Sequence, residues 1–318
     1  MTYNLLGAQG DAAVFSEHAG WAARIDQLRP GVLVLQEAQS DDVAAVLGLT
    51  TTGYSLAAYR WWDCDSKGNP EGVAILVRDD LTVTGGGSTV LGSSCTDPSM
   101  ERVLVWADLD VGGPLRVYGT HLTAGGGAAA GSRAAQITAL RARIAADDPS
   151  ASGRWLVAGD VNLTPGTAEY RALLGTAGGP APGEMVDTLV DVSPVAATTS
   201  VCPSWSESDP AAQPFLLSHP ESVRACGYTA GWAKDTNPLT CEVLSLCVAW
   251  EVRRDTSVRI RIDDVLRAAG GPVRTVRAFV PHRDDPDWAS PGAEWFRLSD
   301  HLPYVADLEV TPLGSTGV

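Results

Sequence analysis

The sequence predicts an α/β protein. Apolar runs of strand length alternate with amphipathic helical stretches through the first two hundred residues. Those strands are short and end in carboxylates, histidine and asparagine, and mixed-sheet enzymes keep their sites at such ends. With 318 residues, 45% hydrophobic and 19% charged, there is core material for one large domain or two ordinary ones.

The elements follow in order. "TYNLLG" reads as a first strand, and residues 17–28 place Trp21, Ile25 and Leu28 at helical spacing. "GVLVLQE" is a continuous apolar strand ending in Gln36-Glu37, after which Ser40 is the expected N-cap of a short helix with Asp41 and Asp42 in its first turn. "GVAILVR" and "RVLVWADLDV" are strands, and "LRVYGTHL" follows a Gly-Gly-Pro turn. Residues 132–145 form an amphipathic helix, preceded by a flexible loop, "TAGGGAAAG", at 123–131. "RWLVAGDVN" is a strand with a polar end, and an apolar strand-like run follows "LSDHLPY". Between about 201 and 258 the pattern weakens, with four cysteines, Trp205, Trp232 and several prolines. This reads as an insertion or long loop within a single domain spanning 1–318. Regular structure resumes at "VRIRIDDVL" and "VRTVRAFV".

Composition narrows the function. Net charge is −15 and the sequence pI about 4.6, which argues against a wide basic face for nucleic acid. An enzyme meeting phosphates through a bound cation and a few arginines stays open. The apolar stretches are too short to span a bilayer. The loop at 123–131 has no following Lys-Ser/Thr and is no P-loop, and G-x-S-x-G and H-E-x-x-H are absent. Six cysteines without C-x-x-C spacing disfavour zinc; an even count in a Gly- and Pro-rich chain fits disulfides, and hence a secreted protein whose leader has been removed. One set of partners is Cys64 with Cys95, Cys202 with Cys226 and Cys241 with Cys247, among fifteen connectivities; buried free thiols are the alternative.

Polar residues at strand ends are Asn4, Glu37, Glu71, His121, Asp160, Asn162, Asp263, Asp300 and His301. Each alone has an ordinary account as a cap, a solvated end or a satisfied core histidine. Asp160 and Asn162 are two apart and would share a face if extended. Together, and in this order, "TYN" (2–4), "QE" (36–37), "THL" (120–122), "GDVN" (159–162), "RIDD" (261–264) and "SDHLP" (299–303) resemble the endonuclease/exonuclease/phosphatase superfamily. The resemblance covers nearly the whole chain.

It implies a deoxyribonuclease I-like fold, a four-layer α/β sandwich of two packed mixed β-sheets flanked by helices. It also implies metal-assisted hydrolysis of a phosphate ester. Glu37 and Asp300, with Asn4 close by, would belong to the metal side, and His301 to a dyad with Asp263. Asp160 would orient or deprotonate the attacking water, Asn162 would donate to a phosphate oxygen, and His121 would bind phosphate or assist the leaving group. Glu71 would be the carboxylate partner of His121 and Arg102 a phosphate contact. Elementary electrostatics agrees, because two carboxylates 4 Å apart repel by about 4 kcal/mol at an effective dielectric of 20. A hard dication relieves this, and oxygen ligands favour Mg²⁺, with Mn²⁺ or Ca²⁺ as alternatives.

The expected substrate is nucleic acid, DNA or RNA, acted on by a monomer. The arginines of "RRDTSVRIR" with Arg274, Arg277 and Arg283 make a locally basic C-terminal part. A sphingomyelinase-type phospholipid phosphodiesterase is the alternative, with Trp61-Trp62, Trp288 or Trp295 meeting membrane lipid. An inositol or sugar phosphatase comes third, and a non-catalytic module of the same fold last.

Overall fold

The computed structural model describes residues 1–5, 18–61, 71–92, 102–176, 183–197, 202, 226–227, 229, 261–281, 299 and 301–314. In chain order these form β1 (Thr2–Asn4), α1 (His18–Leu28), β2 (Val32–Ala38), α2 (Ser40–Leu49), β3 (Tyr54–Trp61), β4 (Gly72–Arg78), β5 (Thr82–Gly92), β6 (Arg102–Asp110) and β7 (Pro114–His121). Then come α3 (Ala128–Asp147), β8 (Trp155–Asp160), α4 (Ala168–Leu174), β9 (Met185–Asp187), α5 (Thr188–Val192), β10 (Asp263–Ala268), β11 (Val273–Phe279) and β12 (Val305–Val310).

Two mixed sheets result. One runs β1-β2-β4-β3 and the other β5-β6-β7-β8-β10-β9. The hairpin β11-β12 continues the first, because Tyr304, just before β12, exchanges two backbone hydrogen bonds with Thr2 at 2.9 Å each. Alternation along each strand builds the layers, since successive side chains point to opposite faces. Val34, Ile75, Val105, Val117, Ala158 and Val265 pack together between the sheets. Their neighbours Leu33, Leu35, Ala74 and Leu76 meet Trp21 and Ile25 of α1 and Val43 and Val46 of α2. On the other outer face Leu104, Tyr118, Val157 and Leu266 meet Ile137, Leu140 and Ile144 of α3 and Tyr170 and Leu173 of α4. The order helix, sheet, sheet, helix is the four-layer sandwich expected.

Gly119 sets how closely the sheets approach. A Cβ there would lie 2.7 Å from Val34 Cγ1 and 3.3 Å from Ile75 Cγ1, both on the opposite sheet.

Several local expectations shift. The third helix starts at Ala128, inside the stretch read as a loop, because the alanines after Gly127 favour helix. The N-cap of α2 is Gln39 and not Ser40, with the Asp42 carboxylate accepting from the Gln39 N–H at 2.9 Å. β5 escapes sequence reading because of its three consecutive glycines. Those at 86 and 87 lie against Ala57 O, Trp106 O and the Trp106 ring, where a Cβ would come within 2.5–3.0 Å. No helix among the described residues is long and apolar enough to cross a membrane.

Candidate active site

One row across three neighbouring strands carries the centre of the site. In the register of the larger sheet His121 on β7 pairs with Asp160 on β8, and Asp160 pairs with Asp263 on β10. Directly opposed residues project to one face. That face looks inward, since Ala158 and Val265, two positions from Asp160 and Asp263, lie in the core between the sheets. All three side chains therefore enter the end of the inter-sheet gap.

The smaller sheet supplies the other wall. Asn4 Nδ2 donates to Glu37 Oε1 at 2.9 Å and to Asp160 Oδ2 at 3.1 Å, so one amide ties the two sheets together. Glu37 reaches the gap because β2 slips register against β4 between Leu35 and Ala38. Its φ of 51° is a left-handed conformation that a glutamate seldom adopts, and such strain gathers at functional sites.

Gly159 is fixed by sterics. A Cβ on it would sit 1.9 Å from the Thr120 carbonyl oxygen of β7. The glycine of "GDVN" thus lets β8 lie against the strand that carries His121. Asn162 shares no extended face with Asp160, contrary to the spacing argument. The strand ends at Asp160, Asn162 turns to φ 51°, and its backbone N–H donates to Asp160 Oδ1 at 2.9 Å. That is a local Asx-type turn, which the short side chain favours. Asn162 Nδ2 donates to Leu122 O at 2.9 Å, which leaves its second amide hydrogen for another acceptor.

His301 Nδ1 lies 2.7 Å from Asp263 Oδ2, the dyad the resemblance implies. His301 Nε2 lies 3.8 Å from Asp160 Oδ2, and in the neutral tautomer with its proton on Nδ1 it would present a lone pair to the gap. His121 Nε2 lies 3.5 Å from the same oxygen. Glu71 and Arg102 are both buried, and the charges of Glu37, Glu71 and Asp160 all act on the Arg102 guanidinium. Burial, more than these, decides the direction of its shift and lowers its pKa. Burial, then the charges of Arg102 and His301, hold the His121 imidazole well below its usual range. Burial raises Asp160, with Asp263 and Glu37 adding to it and His301 opposing.

Glu37, His121 and Asp160 offer ligand atoms within 4.8 Å of one another, and so do Asp160, Asp263 and His301. Three carboxylates forced together with imidazoles fit a divalent cation, which would offset the burial of Asp160 and the repulsion from Asp263 and Glu37 that adds to it. Asp300, expected on the metal side, lies outside the described residues.

Two site-shaping residues were not foreseen. Ser299 Oγ donates to Asn4 O at 2.7 Å and accepts from His301 N at 3.1 Å, pinning Ser299 and His301 to β1. Its place in that motif was the available signal. Thr229 contacts the backbone of Ile262, Asp263 and Leu302 and had no signal, standing in a stretch without periodicity. Of the expected basic C-terminal part, Arg253, Arg254 and Arg259 lie outside the described residues. Arg261 is buried and pairs with Asp187, Arg274 pairs with Glu309, and Arg277 pairs with Asp307. Arg283 lies outside the described residues, as do Trp62, Trp288 and Trp295; Trp61, at the end of β3, is 50% exposed. Cys202 and Cys226 are disulfide-bonded, as one of the proposed pairings had it, and the other four cysteines lie outside the described residues.

No curated protein sequence matches the chain significantly. Among solved structures, a mannosyl-6-phosphatase of Bacteroides thetaiotaomicron is similar with a TM-score of 0.61 at 14% identity, covering 97% of this chain and 98% of that one. TDP2 of D. rerio, complexed with a single-strand DNA product, is similar with a TM-score of 0.56 at 17% identity, covering 97% of each chain. TDP2 of Caenorhabditis elegans gives 0.55 at 17% identity, covering 95% of this chain and 71% of that one. At such identities the likeness is one of fold. The sequence model of the Endonuclease/Exonuclease/phosphatase family matches residues 1–301, and the chain belongs to that family.

Proposed function

We propose that the protein is a divalent-metal-dependent phosphoesterase that hydrolyses a phosphodiester of nucleic acid by in-line attack of water. The convergence of Glu37, Asn4, His121, Asp160 and the Asp263–His301 dyad at one end of the inter-sheet gap carries this reading. Glu37, with Asp160 beside it and Asp300 from the "SDH" motif, would hold the cation. When bound, Mg²⁺ or a similar ion supplies charge stabilisation for a phosphoryl oxygen.

The protein's own groups supply the rest. Asp263 fixes the His301 tautomer, so Nε2 can accept a proton from water. Asp160, held by Asn4 and the Asn162 N–H, orients that water. The free amide hydrogen of Asn162 and the Arg102 cation face phosphate oxygens. His121, neutral at pH 7 by its lowered pKa, sits opposite His301 across Asp160, where it contacts phosphate. Water adds to phosphorus, the ester P–O bond breaks, and the leaving alkoxide takes a proton.

Nucleic acid as substrate draws support from the similar fold of a TDP2 seen with single-strand DNA product. A sugar phosphomonoester is a second reading. Arg261, Arg274 and Arg277 are engaged with carboxylates of the protein itself, and net charge is −15, both of which suit a substrate with a small footprint. The Cys202–Cys226 bond supports placement in an oxidising, extracellular compartment.

The test incubates the protein with plasmid DNA, single-stranded DNA, RNA, a hexose 6-phosphate and sphingomyelin vesicles, each with Mg²⁺, Mn²⁺, Ca²⁺ or EDTA. Cleavage of a nucleic acid that EDTA stops, and that His301→Ala and Asp160→Ala lose, is expected. Turnover that survives EDTA or either substitution overturns the mechanism, and turnover confined to the hexose phosphate moves the substrate to the second reading.

A further inference from the structure

We propose that Thr229 is a positioning residue for the Asp263–His301 dyad, a role that rests on the hydrolytic reading above. Thr229 belongs to the stretch between β9 and β10 whose sequence shows no regular pattern, yet its side chain is fully buried. Its Oγ1 accepts from the backbone N–H of Ile262 and of Asp263, each at 3.2 Å. Its carbonyl oxygen accepts from Leu302 N at 2.6 Å. One residue therefore touches both arms of the dyad: the start of the strand bearing Asp263, and the residue after His301.

The topology explains why a side chain is needed there. On one edge β10 pairs with β8 along its length from Asp263, and Ile262 O accepts from Val161 N at 2.8 Å. On its other edge β9 reaches only Leu266, Arg267 and Ala268. At Ile262 and Asp263 no described strand covers that edge, and the Thr229 hydroxyl oxygen takes the place of a strand carbonyl. Buried backbone N–H groups require such an acceptor.

Thr229 is itself anchored. The Cys202–Cys226 disulfide ends three residues before it, with both cysteines buried. Between them Gly227, at φ 64°, lies so close to α5 that a Cβ would fall 2.2 Å from Leu189 Cδ2. The disulfide and this wedge hold the segment against α5, and Thr229 transmits that placement to the dyad.

Thr229→Val keeps the shape and removes the acceptor, whereas Thr229→Ser keeps the acceptor and removes a methyl. Loss of an outer partner typically costs roughly 10–100-fold in activity. We expect Thr229→Val to lower kcat by about that factor with KM within twofold. Thr229→Ser should recover kcat to within threefold. In the metal-free protein, the low-field proton NMR resonance of the His301–Asp263 hydrogen bond should move or broaden in Thr229→Val and stay in place in Thr229→Ser. That readout needs no turnover, so it still judges Thr229 if no phosphoester proves to be a substrate. Wild-type kcat in Thr229→Val, or an unmoved resonance, overturns the proposal; so does an equal loss in both variants, which marks mere packing. Should Thr229→Val not fold, Thr229→Ser decides: retained kcat and resonance support the role, and a tenfold loss refutes it.

Discussion

Asp160→Asn should abolish turnover and yet stabilise the metal-free fold. Asp160 is 1% exposed and Asp263 is fully buried, and their oxygens lie within 4.8 Å. Two unit charges at that distance repel by about 3.5 kcal/mol at an effective dielectric of 20. Glu37 lies within the same distance of Asp160 on its other side, and the Arg102 charge offsets part of that burden. Asparagine keeps one side-chain oxygen, so it gives up one of the two hydrogen bonds from Asn4 and Asn162. A hydrogen bond to a charged group is worth about 1.5–3 kcal/mol, which leaves a net gain of about 0.5–2 kcal/mol.

The gain must depend on pH in one direction. Burial, with Asp263 and Glu37, raises the folded-state pKa of Asp160 against the opposing charge of His301. The folded protein then holds a proton that the unfolded chain releases, so wild-type stability falls as pH rises from the ordinary carboxylate range toward the raised value. Asparagine does not titrate, so its advantage should be absent below about pH 4, grow with pH, and be full only above the raised value of about 8. Urea denaturation in EDTA at both pH values measures it. Adding Mg²⁺ should stabilise the wild type, by about 2.7 kcal/mol at a hundredfold excess over Kd, and the variant far less. A variant less stable than wild type in EDTA near neutral pH, or a difference independent of pH, would refute the reasoning.

Three further outcomes are expected. Asp263→Asn removes the carboxylate that orients His301 and should cut kcat by about 10²–10⁴-fold without destabilising the metal-free fold, read by steady-state kinetics beside a melt; an unimpaired rate would remove His301 from the role of base. Gly119→Ala puts a methyl 2.7 Å from Val34 Cγ1 and should cost about 1–3 kcal/mol by overpacking, while Gly159→Ala, at 1.9 Å from a backbone oxygen, should cost more and also lose activity; urea midpoints rank them. Arg261→Met strands Asp187 and Asp264 without their shared cation and should destabilise by about 3–5 kcal/mol, with no change in the salt dependence of any nucleic-acid binding by protein that remains folded.

Residues with short-range signals were the legible ones. Strands β2, β4, β6, β7 and β8 read directly because buried strands are continuous apolar runs bounded by turn residues, and the site residues at their ends came with them. The β5 strand did not, because its glycines accommodate a neighbouring tryptophan ring and backbone that the sequence cannot show. Asn162 was selected on a correct spacing for a wrong reason: the left-handed turn after Asp160, and not strand alternation, brings its backbone N–H to that carboxylate. Ser299 and Thr229 act by hydrogen bonds across 295 and 34 positions of sequence, and no periodicity encodes a contact of that kind.

The charge distribution separates holding a phosphate from holding a long polyanion. Arg116 pairs with Asp108 and Asp147, Arg133 with Glu169, Arg267 with Asp191, and Arg274 and Arg277 with Glu309 and Asp307. An arginine already neutralised gains little from a phosphate, because the contact must first give up the carboxylate. Affinity for extended nucleic acid grows with the number of phosphates neutralised, and with it the steepness of its salt dependence. A site whose positive charge resides in Arg102 and a bound cation engages one or two phosphates. If nucleic acid is the substrate, the logarithm of kcat/KM should therefore fall with the logarithm of salt concentration with a slope of about −0.7 to −1.4 on single strands. A slope of −5 or steeper would require a basic surface beyond the described residues, and would count against a substrate with a small footprint.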